Sequence, residues 1–442
     1  MPHLINETRI PPTQSVHLEL WGGIECTVNR VGNTYQDQVK RSGHHDRVED
    51  LNHLIGLGIK TLRYPVLWER TAPEHPEQLD WTWADERLNR LRDGMVKPII
   101  GLVHHGCGPH YATFDSPAFA PELARYARRV AERYPWVIDY TPVNEPLTTA
   151  RFAGLYGHWY PHGQSDTQFI RLLLRQVQAT SQAMAQIRAV QPAARLIQTD
   201  DLGFVHSTAN MRYQADFENE RRFLTWDLLC GYVTPDHALW KYLLKSGATE
   251  SELWAFVEHP CPPSIIGANH YVTSERFLDD YTAESPNWIR TTSGSRDYVD
   301  TEVVRAAPDQ RLGVGKLLMQ VWERYSLPIV VTEAHLGDGV EEQKRWLGEV
   351  WQQAEEAKQA GVDVRAVTVW ALFGLYDWHC LLTRQENLYE PGAFNVSSGR
   401  AIPTDLVEMI RQLANGRPVE ELIPTGEGWW QLNQEACQPM LV

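Results

Sequence analysis

Residues 139–146 read Asp-Tyr-Thr-Pro-Val-Asn-Glu-Pro, and residues 328–335 read Pro-Ile-Val-Val-Thr-Glu-Ala-His. Each stretch is a short run of apolar and β-branched residues, typical of a buried strand, that leads directly into a glutamate. A carboxylate in this position gives up hydration, which a purely structural role rarely requires. Glu145 and Glu333 are therefore candidate catalytic residues, although either one alone could equally neighbour a helix cap or form a salt bridge.

Six further strand-like runs have the same character, and longer amphipathic patterns lie between them. Strands that alternate with helices predict an α/β protein with a parallel sheet, and eight strands close a (β/α)₈ TIM barrel. The long intervals after the fifth and sixth strands leave room for long βα loops over the C-terminal face. The predicted strands are 18–22, 59–64, 97–103, 137–143, 195–199, 264–269, 328–332 and 365–371.

Amphipathic periodicity predicts the helices, and capping residues mark several of their ends. Asp166 and Asp309 are expected N-caps, whereas Gly58, Gly94 and Gly361 stand where helices should stop. The predicted helices are 45–57, 83–92, 121–133, 167–190, 311–325, 341–360 and 405–414.

The chain has 442 residues, which a single barrel domain over 1–442 can accommodate. Residues 415–442 form a tail rich in glycine and tryptophan, which is expected to cover either the barrel or a partner. In the barrel, the fourth- and seventh-strand glutamates face each other across the mouth, where catalytic groups of this fold lie.

The formal net charge is −15, from 41 lysines and arginines against 56 aspartates and glutamates. Such an acidic surface repels nucleic acid and anionic membranes, so neither is an expected partner. The six cysteines form no C-x-x-C pair, which favours reduced thiols. The first twelve residues lack the order of a signal peptide, and no apolar run is long enough to span a bilayer. A cytoplasmic protein is therefore expected, with its oligomeric state open.

Residues 141–146 resemble the T-F/L-N-E-P acid/base motif of glycoside hydrolase family 1, the β-glucosidase family, and residues 330–333 resemble its I-T-E-N-G nucleophile motif. Further resemblances follow in order along nearly the whole chain. Residues 20–22 resemble F-x-W-G, and residues 62–70 resemble Y-R-F-S-I-S-W-x-R. Residues 102–105 resemble L-Y-H-W, residues 267–271 resemble G-x-N-Y-Y, and residues 370–378 resemble W-S-L-L-D-N-F-E-W.

The resemblance implies a retaining β-glycosidase that uses no cofactor or metal and hydrolyses a small β-glycoside or oligosaccharide by double displacement. Glu333 would attack the anomeric carbon, and Glu145 would protonate the leaving oxygen and then activate water. Arg63 and Tyr271 are expected to hold Glu333 ionised and oriented, because a neighbouring cation lowers the pKa of a carboxyl group. A plain salt bridge is the competing interpretation of Arg63.

The same resemblance assigns the sugar contacts. Asn144 would bind the 2-hydroxyl, and Trp370 would form a platform under the ring. The remaining expected contacts to the glycone are His104, Asp377, Trp378 and, from the first strand, Asn29 with Glu25 as an alternative occupant. Purely structural roles compete with three of these assignments: a helix cap for Asn144, a core residue for His104 and loop packing for Trp378.

The chain departs from the family pattern mainly at residues that would determine which sugar is bound. His105 replaces a tryptophan, Asp377 shortens a sugar-binding glutamate, and Ala334-His335 replaces Asn-Gly. Hydrolase chemistry is therefore better supported than glucose as the glycone. No set of lysine, serine and tyrosine is evident for a phosphorylated sugar, which disfavours a 6-phospho-glycoside.

Four different functions compete with that of a retaining glycosidase. The 17 histidines suggest a metal-dependent TIM-barrel hydrolase as one alternative, but the first strand has no H-x-H pair of the kind that binds such a metal. His104 and His105 are adjacent on a strand and should point to opposite faces, which does not favour binding one ion. The remaining three hypotheses keep the barrel and its cleft: a transglycosidase of the same mechanism, a catalytically weak sugar-binding relative, and a neighbouring clan member with the same two glutamates.

Overall fold

The computed structural model describes residues 17–280, 290–293 and 296–432. Eight parallel strands form a closed barrel in sequence order, with the first strand paired to both the second and the eighth. The expected (β/α)₈ barrel is thus confirmed. The strands are β1 (Glu19–Gly23), β2 (Thr61–Pro65), β3 (Lys97–His104), β4 (Asp139–Asn144), β5 (Arg195–Asp201), β6 (Ile265–Asn269), β7 (Ile329–Ala334) and β8 (Val364–Val369).

A helix follows each strand. These helices are α1 (Asp50–Ile55), α2 (Thr82–Asp93), α3 (Phe119–Arg133), α4 (Asp166–Val190), α5 (Leu224–Cys230), α6 (Val314–Tyr325), α7 (Val340–Gln359) and α8 (Asp405–Ala414). Further helices and turns lie in the loops: Gln38–Arg41, Trp68–Thr71, Pro146–Ala150, Arg151–Leu155, Ala209–Met211, Arg212–Arg221, Trp240–Lys245, Glu250–Glu258, Val303–Ala306, Pro308–Gln310, Trp378–Cys380, Val419–Glu421 and Trp429–Gln431.

The two predicted N-caps were wrong. Ser165 caps α4, because its extended backbone lets its side chain accept from the Gln168 amide, and Asp166 is already helical. Gly313 precedes α6, whereas Asp309 lies in the turn Pro308–Gln310. Gly94 does end α2, as expected.

The barrel interior is packed with apolar side chains, so a ligand can bind only above it, at the strand ends. This inner cluster is separate from the larger core between the strands and the surrounding helices. Its members are Trp21, Ile99, Ile197, Ile265, Val330 and Ala366.

The long loops expected after β5 and β6 contribute a four-stranded sheet. Its strands lie in the order Arg290–Ser293, Arg296–Glu302, Glu275–Asp279 and Phe204–Ser207. A hairpin after β1 pairs Val28–Val31 with Thr34–Asp37. Two short strand pairs follow β8, namely Leu375–Tyr376 with Tyr389–Glu390 and Phe394–Asn395 with Ile402–Pro403.

The described part of the C-terminal tail packs against α7. Trp430 is buried, its indole N–H donates to Glu349 Oε2 at 2.7 Å, and its ring meets that of Trp346 edge-on. Up to residue 432 the tail thus covers a barrel helix. Cys437, expected to be a reduced thiol, and the rest of the tail lie outside the described residues, as does the N-terminal segment.

Asp227 joins α5 to α6 through a buried ionic network. Its carboxylate accepts two hydrogen bonds from Arg324, at 2.9 and 2.8 Å, and others from Tyr325 and His237. We expect Asp227→Ala to lower the free energy of unfolding by about 3 kcal/mol, because breaking a buried ion pair leaves its partner unsatisfied. Denaturant unfolding measures the change. The exposed Asp216→Ala should change stability little, and equal stability of both variants would contradict this role.

Candidate active site

The backbone turns sharply at the end of β4 and aims Glu145 into the barrel mouth. Glu145 has φ +47° and ψ 63°, a left-handed conformation that costs about 1–3 kcal/mol for a residue with a side chain. The helix Pro146–Ala150 follows, and Asp200 holds its start by accepting from the Leu147 and Thr148 amides. Sequence reasoning missed Asp200, although it also follows an apolar strand run, in β5.

Glu333 lies near the end of β7 and is 2% exposed. Arg63 Nη1 donates to its Oε1 at 2.6 Å, and the Tyr271 hydroxyl donates to its Oε2. Arg63 also donates to the Thr332 carbonyl at 2.9 Å, which fixes the guanidinium against β7. Both residues expected to orient Glu333 therefore contact it.

The Asn269 amide joins the two glutamates. Its Nδ2 donates to Glu145 Oε1 at 2.6 Å, and the same amide opposes the rise in the pKa of Glu333. Its Oδ1 accepts from the Thr332 hydroxyl at 2.7 Å, which fixes the orientation of the amide. Glu145 is 4% exposed, so both carboxylates converge in the barrel mouth, away from bulk solvent. Asn269 belongs to a motif quoted above, but sequence reasoning gave it no role.

The two carboxylates have unequal surroundings. Burial raises the pKa of Glu145 well above its usual range, and the nearby Glu333 carboxylate raises it further. Burial also raises the pKa of Glu333, but the Arg63 guanidinium and the Tyr271 hydroxyl oppose that rise. Since only Glu333 has a cation beside it, Glu333 ionises first and Glu145 keeps its proton.

Asn144 belongs to the site network. Its Oδ1 accepts from Arg63 Nη2 and from Thr199 Oγ1, both at 2.7 Å, and its Nδ2 lies 3.2 Å from His104 Nε2 and 3.4 Å from His105 Nε2. Burial lowers the pKa of both histidines, that of His105 to about 3, so both are neutral and can accept from the amide.

Aromatic rings form one wall of the site. The His104 ring stacks on Trp370, with centroids 5.5 Å apart, and the Arg63 guanidinium lies over the same indole. Trp378 contacts His105 and Trp159, and its indole N–H has no hydrogen-bond partner among the described residues. Sequence reasoning missed Trp159, which nothing but its type distinguishes from other buried tryptophans.

Asp377 has contacts different from those expected of a sugar ligand. Its buried carboxylate accepts from Arg41 Nη2 at 2.7 Å and from the Leu388 amide at 2.8 Å, with the amides of residues 386 and 387 completing the set. The side chain thus holds the loop after β8 to the helix Gln38–Arg41. Both of its oxygens are occupied by donors of the protein.

Glu25 and Asn29, the two first-strand candidates, are both buried. Glu25 Oε1 accepts from the Thr27 amide at 2.8 Å, and burial raises its pKa to about 7, with a further contribution from the charge of Glu333. Asn29 Nδ2 donates to the Leu382 carbonyl at 3.4 Å, and its Oδ1 has no partner among the described residues.

Two wider properties bear on the class of protein. Among the described residues, no group of three histidine, cysteine, aspartate or glutamate side chains could hold a metal ion. No helix in that part of the chain is long and apolar enough to cross a membrane.

Comparison with solved structures identifies the same architecture elsewhere. The family 1 β-glucosidase from Thermotoga maritima superposes with a TM-score of 0.72, covering 91% of this chain and 99% of that chain at 17% identity. The same enzyme in complex with noeuromycin superposes with a TM-score of 0.73 and the same coverage and identity. At such identity the likeness establishes the fold alone.

Two characterised relatives align over most of their length. A phospho-cellobiase from Klebsiella oxytoca is 21% identical over 353 residues, which are 74% of this chain and 75% of the relative. The aryl-phospho-beta-D-glucosidase BglC of Bacillus subtilis is 21% identical over 384 residues, which are 76% and 78% of the two chains. The model of glycosyl hydrolase family 1 matches residues 20–385. The protein is therefore a β-glucosidase-like glycoside hydrolase and belongs to glycosyl hydrolase family 1.

Proposed function

We propose that the protein is a retaining β-glycosidase that acts by double displacement, with Glu333 as nucleophile and Glu145 as acid/base. The observation that carries the proposal is the contrast between two buried carboxylates joined by Asn269. Glu333 is paired with Arg63 and Tyr271, whereas Glu145 accepts from a neutral amide. One carboxylate is thus prepared to carry charge, and the other to donate a proton.

In the first step, Glu333 attacks the anomeric carbon, and the bond from that carbon to the glycosidic oxygen breaks. Glu145 gives its proton to the departing oxygen, so the products are a glycosyl ester of Glu333 and a free alcohol. Asn144, held by Arg63 and Thr199, is positioned to bind the 2-hydroxyl, a contact that strengthens in the transition state.

In the second step, the Glu145 carboxylate takes a proton from water, and the resulting hydroxide attacks the anomeric carbon and displaces Glu333. Net retention follows from the two inversions. A sugar in place of water would give transglycosylation by the same residues, and no contact of the described residues favours it over hydrolysis.

Glycone recognition is proposed to use His104, Trp370 and Trp378, with Glu25 and Asn29 from the first-strand segment. Trp378 offers an unpartnered indole N–H, and Asn29 offers an unpartnered amide oxygen. Glu25 replaces Asp377 as the carboxylate for the outer hydroxyls, because donors of the protein already occupy Asp377.

The glycone is proposed to be an unphosphorylated sugar, although the two characterised relatives act on phospho-glucosides by name. The cation within the site, Arg63, is already paired with Glu333 at 2.6 Å. The buried Glu25 carboxyl group lies beside the same site and would repel a phosphate when ionised.

A mechanism-based inhibitor tests the proposed function. An aryl 2-deoxy-2-fluoro-β-glycoside should form a stable glycosyl ester, seen as a stoichiometric mass increase, and peptide mapping should locate it on Glu333. Glu333→Gln should not be labelled. A label on another residue would refute the nucleophile assignment. Hydrolysis of the fluoro glycoside with inverted anomeric configuration and without loss of enzyme activity would refute it as well.

We place the enzyme in the cytoplasm. The five cysteines of the described residues are all free, and four of them are buried. Unpaired thiols in this number are typical of a reducing compartment.

A further inference from the structure

A second cleft, of about 540 Å³, opens at the same end of the barrel as the two glutamates. The segments that follow β1, β2, β3 and β8 line it. Ligand pockets occupy about 300–1,000 Å³, so this cleft is large enough for a sugar residue. Among the residues that line it are Tyr35, Gln36, Arg41, Glu69 and His110.

The cleft adjoins the position proposed for the glycone. Gln36 lines it and lies directly opposite Asn29 in the hairpin after β1. Opposite residues of an antiparallel pair share one face, and both side chains here donate to the Leu382 carbonyl, at 3.0 and 3.4 Å. On the other side, Arg41 lines the cleft and binds Asp377, the residue before Trp378.

Several buried polar atoms along this path have no hydrogen-bond partner among the other described residues. The acceptors are Gln36 Oε1, Asn29 Oδ1 and Glu69 Oε2, and the donor is Arg41 Nη1. Buried polar groups are normally hydrogen-bonded, and leaving one unsatisfied costs free energy. Because Gln36, Glu69 and Arg41 line the cleft, their unsatisfied atoms indicate a polar ligand there.

The pattern of these atoms selects a neutral hydroxylated ligand. The two acceptors on lining residues, Gln36 Oε1 and Glu69 Oε2, need donors, which sugar hydroxyls supply and a fully ionised phosphate does not, while the same hydroxyls can accept from Arg41. Three cationic side chains line the cleft: Arg41 is paired with Asp377, Arg70 is paired with Asp37, and Lys40 is exposed to solvent. The rings of Tyr35 and His110, 4.9 Å apart and edge-on, add an aromatic surface of the kind that packs on sugar C–H groups.

Glu69 is held in place at the wall of the cleft. Its Oε1 accepts from the Gly108 amide at 3.0 Å, and a side chain at residue 106 would overlap that oxygen, so the glycine there permits the approach. Burial raises the pKa of Glu69 to about 7. The carboxyl group is thus protonated in part near neutral pH and can also donate to a hydroxyl.

We propose that this cleft is a second glycone subsite, which binds a further sugar attached to the glycone through the unsatisfied atoms of Gln36, Glu69 and Arg41. The enzyme would then hydrolyse β-glycosides of a disaccharide and release the disaccharide intact. This inference rests on the proposed function and extends it beyond a single-sugar glycone.

Paired substrates test the inference. The first substrate is a monosaccharide 4-nitrophenyl β-glycoside, chosen as the one hydrolysed fastest among glycosides that differ only in the sugar. The other substrates carry one additional β-glucosyl residue on O4 or O6 of that sugar. We expect at least one disaccharide glycoside to have a kcat/KM about tenfold higher than the monosaccharide, with the intact disaccharide as first product by chromatography. No advantage for either, or stepwise release of single sugars, would overturn the inference.

Two variants locate the effect. Gln36→Ala and Glu69→Gln should each lower the disaccharide-to-monosaccharide ratio of kcat/KM by about tenfold, mainly through KM, whereas the exposed Glu132→Gln on α3 should keep the wild-type ratio. An unchanged ratio in both cleft variants would contradict the assignment. Labelling of Glu333 by the monosaccharide 2-fluoro glycoside distinguishes failure of the second subsite from failure of the proposed function. If Glu333 is labelled but no disaccharide is preferred, only the second subsite is refuted. If Glu333 is not labelled, the proposed function is refuted.

Discussion

Glu333→Gln is expected to lower kcat by at least about 10⁴-fold, because the variant has no anionic oxygen to attack the anomeric carbon. Glutamine keeps the shape of the side chain and leaves Arg63 and Tyr271 beside it, so the protein should still fold. The measurement is kcat for an activated aryl β-glycoside, with far-ultraviolet circular dichroism and thermal unfolding as tests of the fold.

A matched control uses Glu323→Gln, an exposed position on α6 far from the strand ends. This variant should keep wild-type kcat. If Glu333→Gln retained more than a few per cent of wild-type turnover while folded, Glu333 would not be the nucleophile.

Glu145→Gln is expected to act selectively on substrates with poor leaving groups. General acid catalysis contributes about 10²–10⁴-fold, and glycosides of alkyl alcohols or sugars should lose that factor in the first step. A dinitrophenyl glycoside needs no protonation, so its first step should stay close to wild type and the glycosyl-enzyme should accumulate as a burst. Equal loss for both substrate types would exclude Glu145 as the acid.

The same variant should change the pH profile. In the wild type, burial raises the pKa of Glu145, so the acid stays protonated at higher pH and activity falls only as pH rises through that pKa. Activity falls at the other end as pH drops through the pKa of Glu333, which must be ionised. In Glu145→Gln the alkaline limb of kcat/KM for an activated substrate should disappear, while the acidic limb persists. An alkaline limb that survives the substitution would belong to another group.

The barrel could be predicted because its signal is local and repeated. Each strand is a short apolar run, and each predicted helix but one overlaps the observed helix within a few residues; the exception, 45–57, starts only at Asp50. The N-cap predictions were wrong because the backbone conformation, which composition does not reveal, decides which residue caps a helix. The caps are Ser165 and Gly313 rather than the nearby aspartates. The loop sheet after β5 and β6 pairs Phe204–Ser207 with Glu275–Asp279, 71 residues later in the chain, and this pairing has no local signal.

The meeting of the two strand-end glutamates could likewise be predicted, since a parallel barrel brings strand ends to one face. Partners such as Asn269 and Asp200 depend on which side chains meet across neighbouring strands, which needs register. Asp377 could not be judged from its motif because its contacts come from Arg41, which lies 336 residues earlier in the chain.

The fixed amide of Asn269 has a consequence for the whole reaction cycle. In the proposed mechanism, the glutamate pair holds one negative charge before the substrate reacts, on Glu333, and again holds one in the glycosyl-enzyme, on Glu145. Because the Thr332 hydroxyl prevents the amide from flipping, its N–H group stays directed at Glu145, while Arg63 stays beside Glu333. The charge can thus alternate between the two positions with little rearrangement of the surrounding protein, which keeps the cost of each half-turnover low.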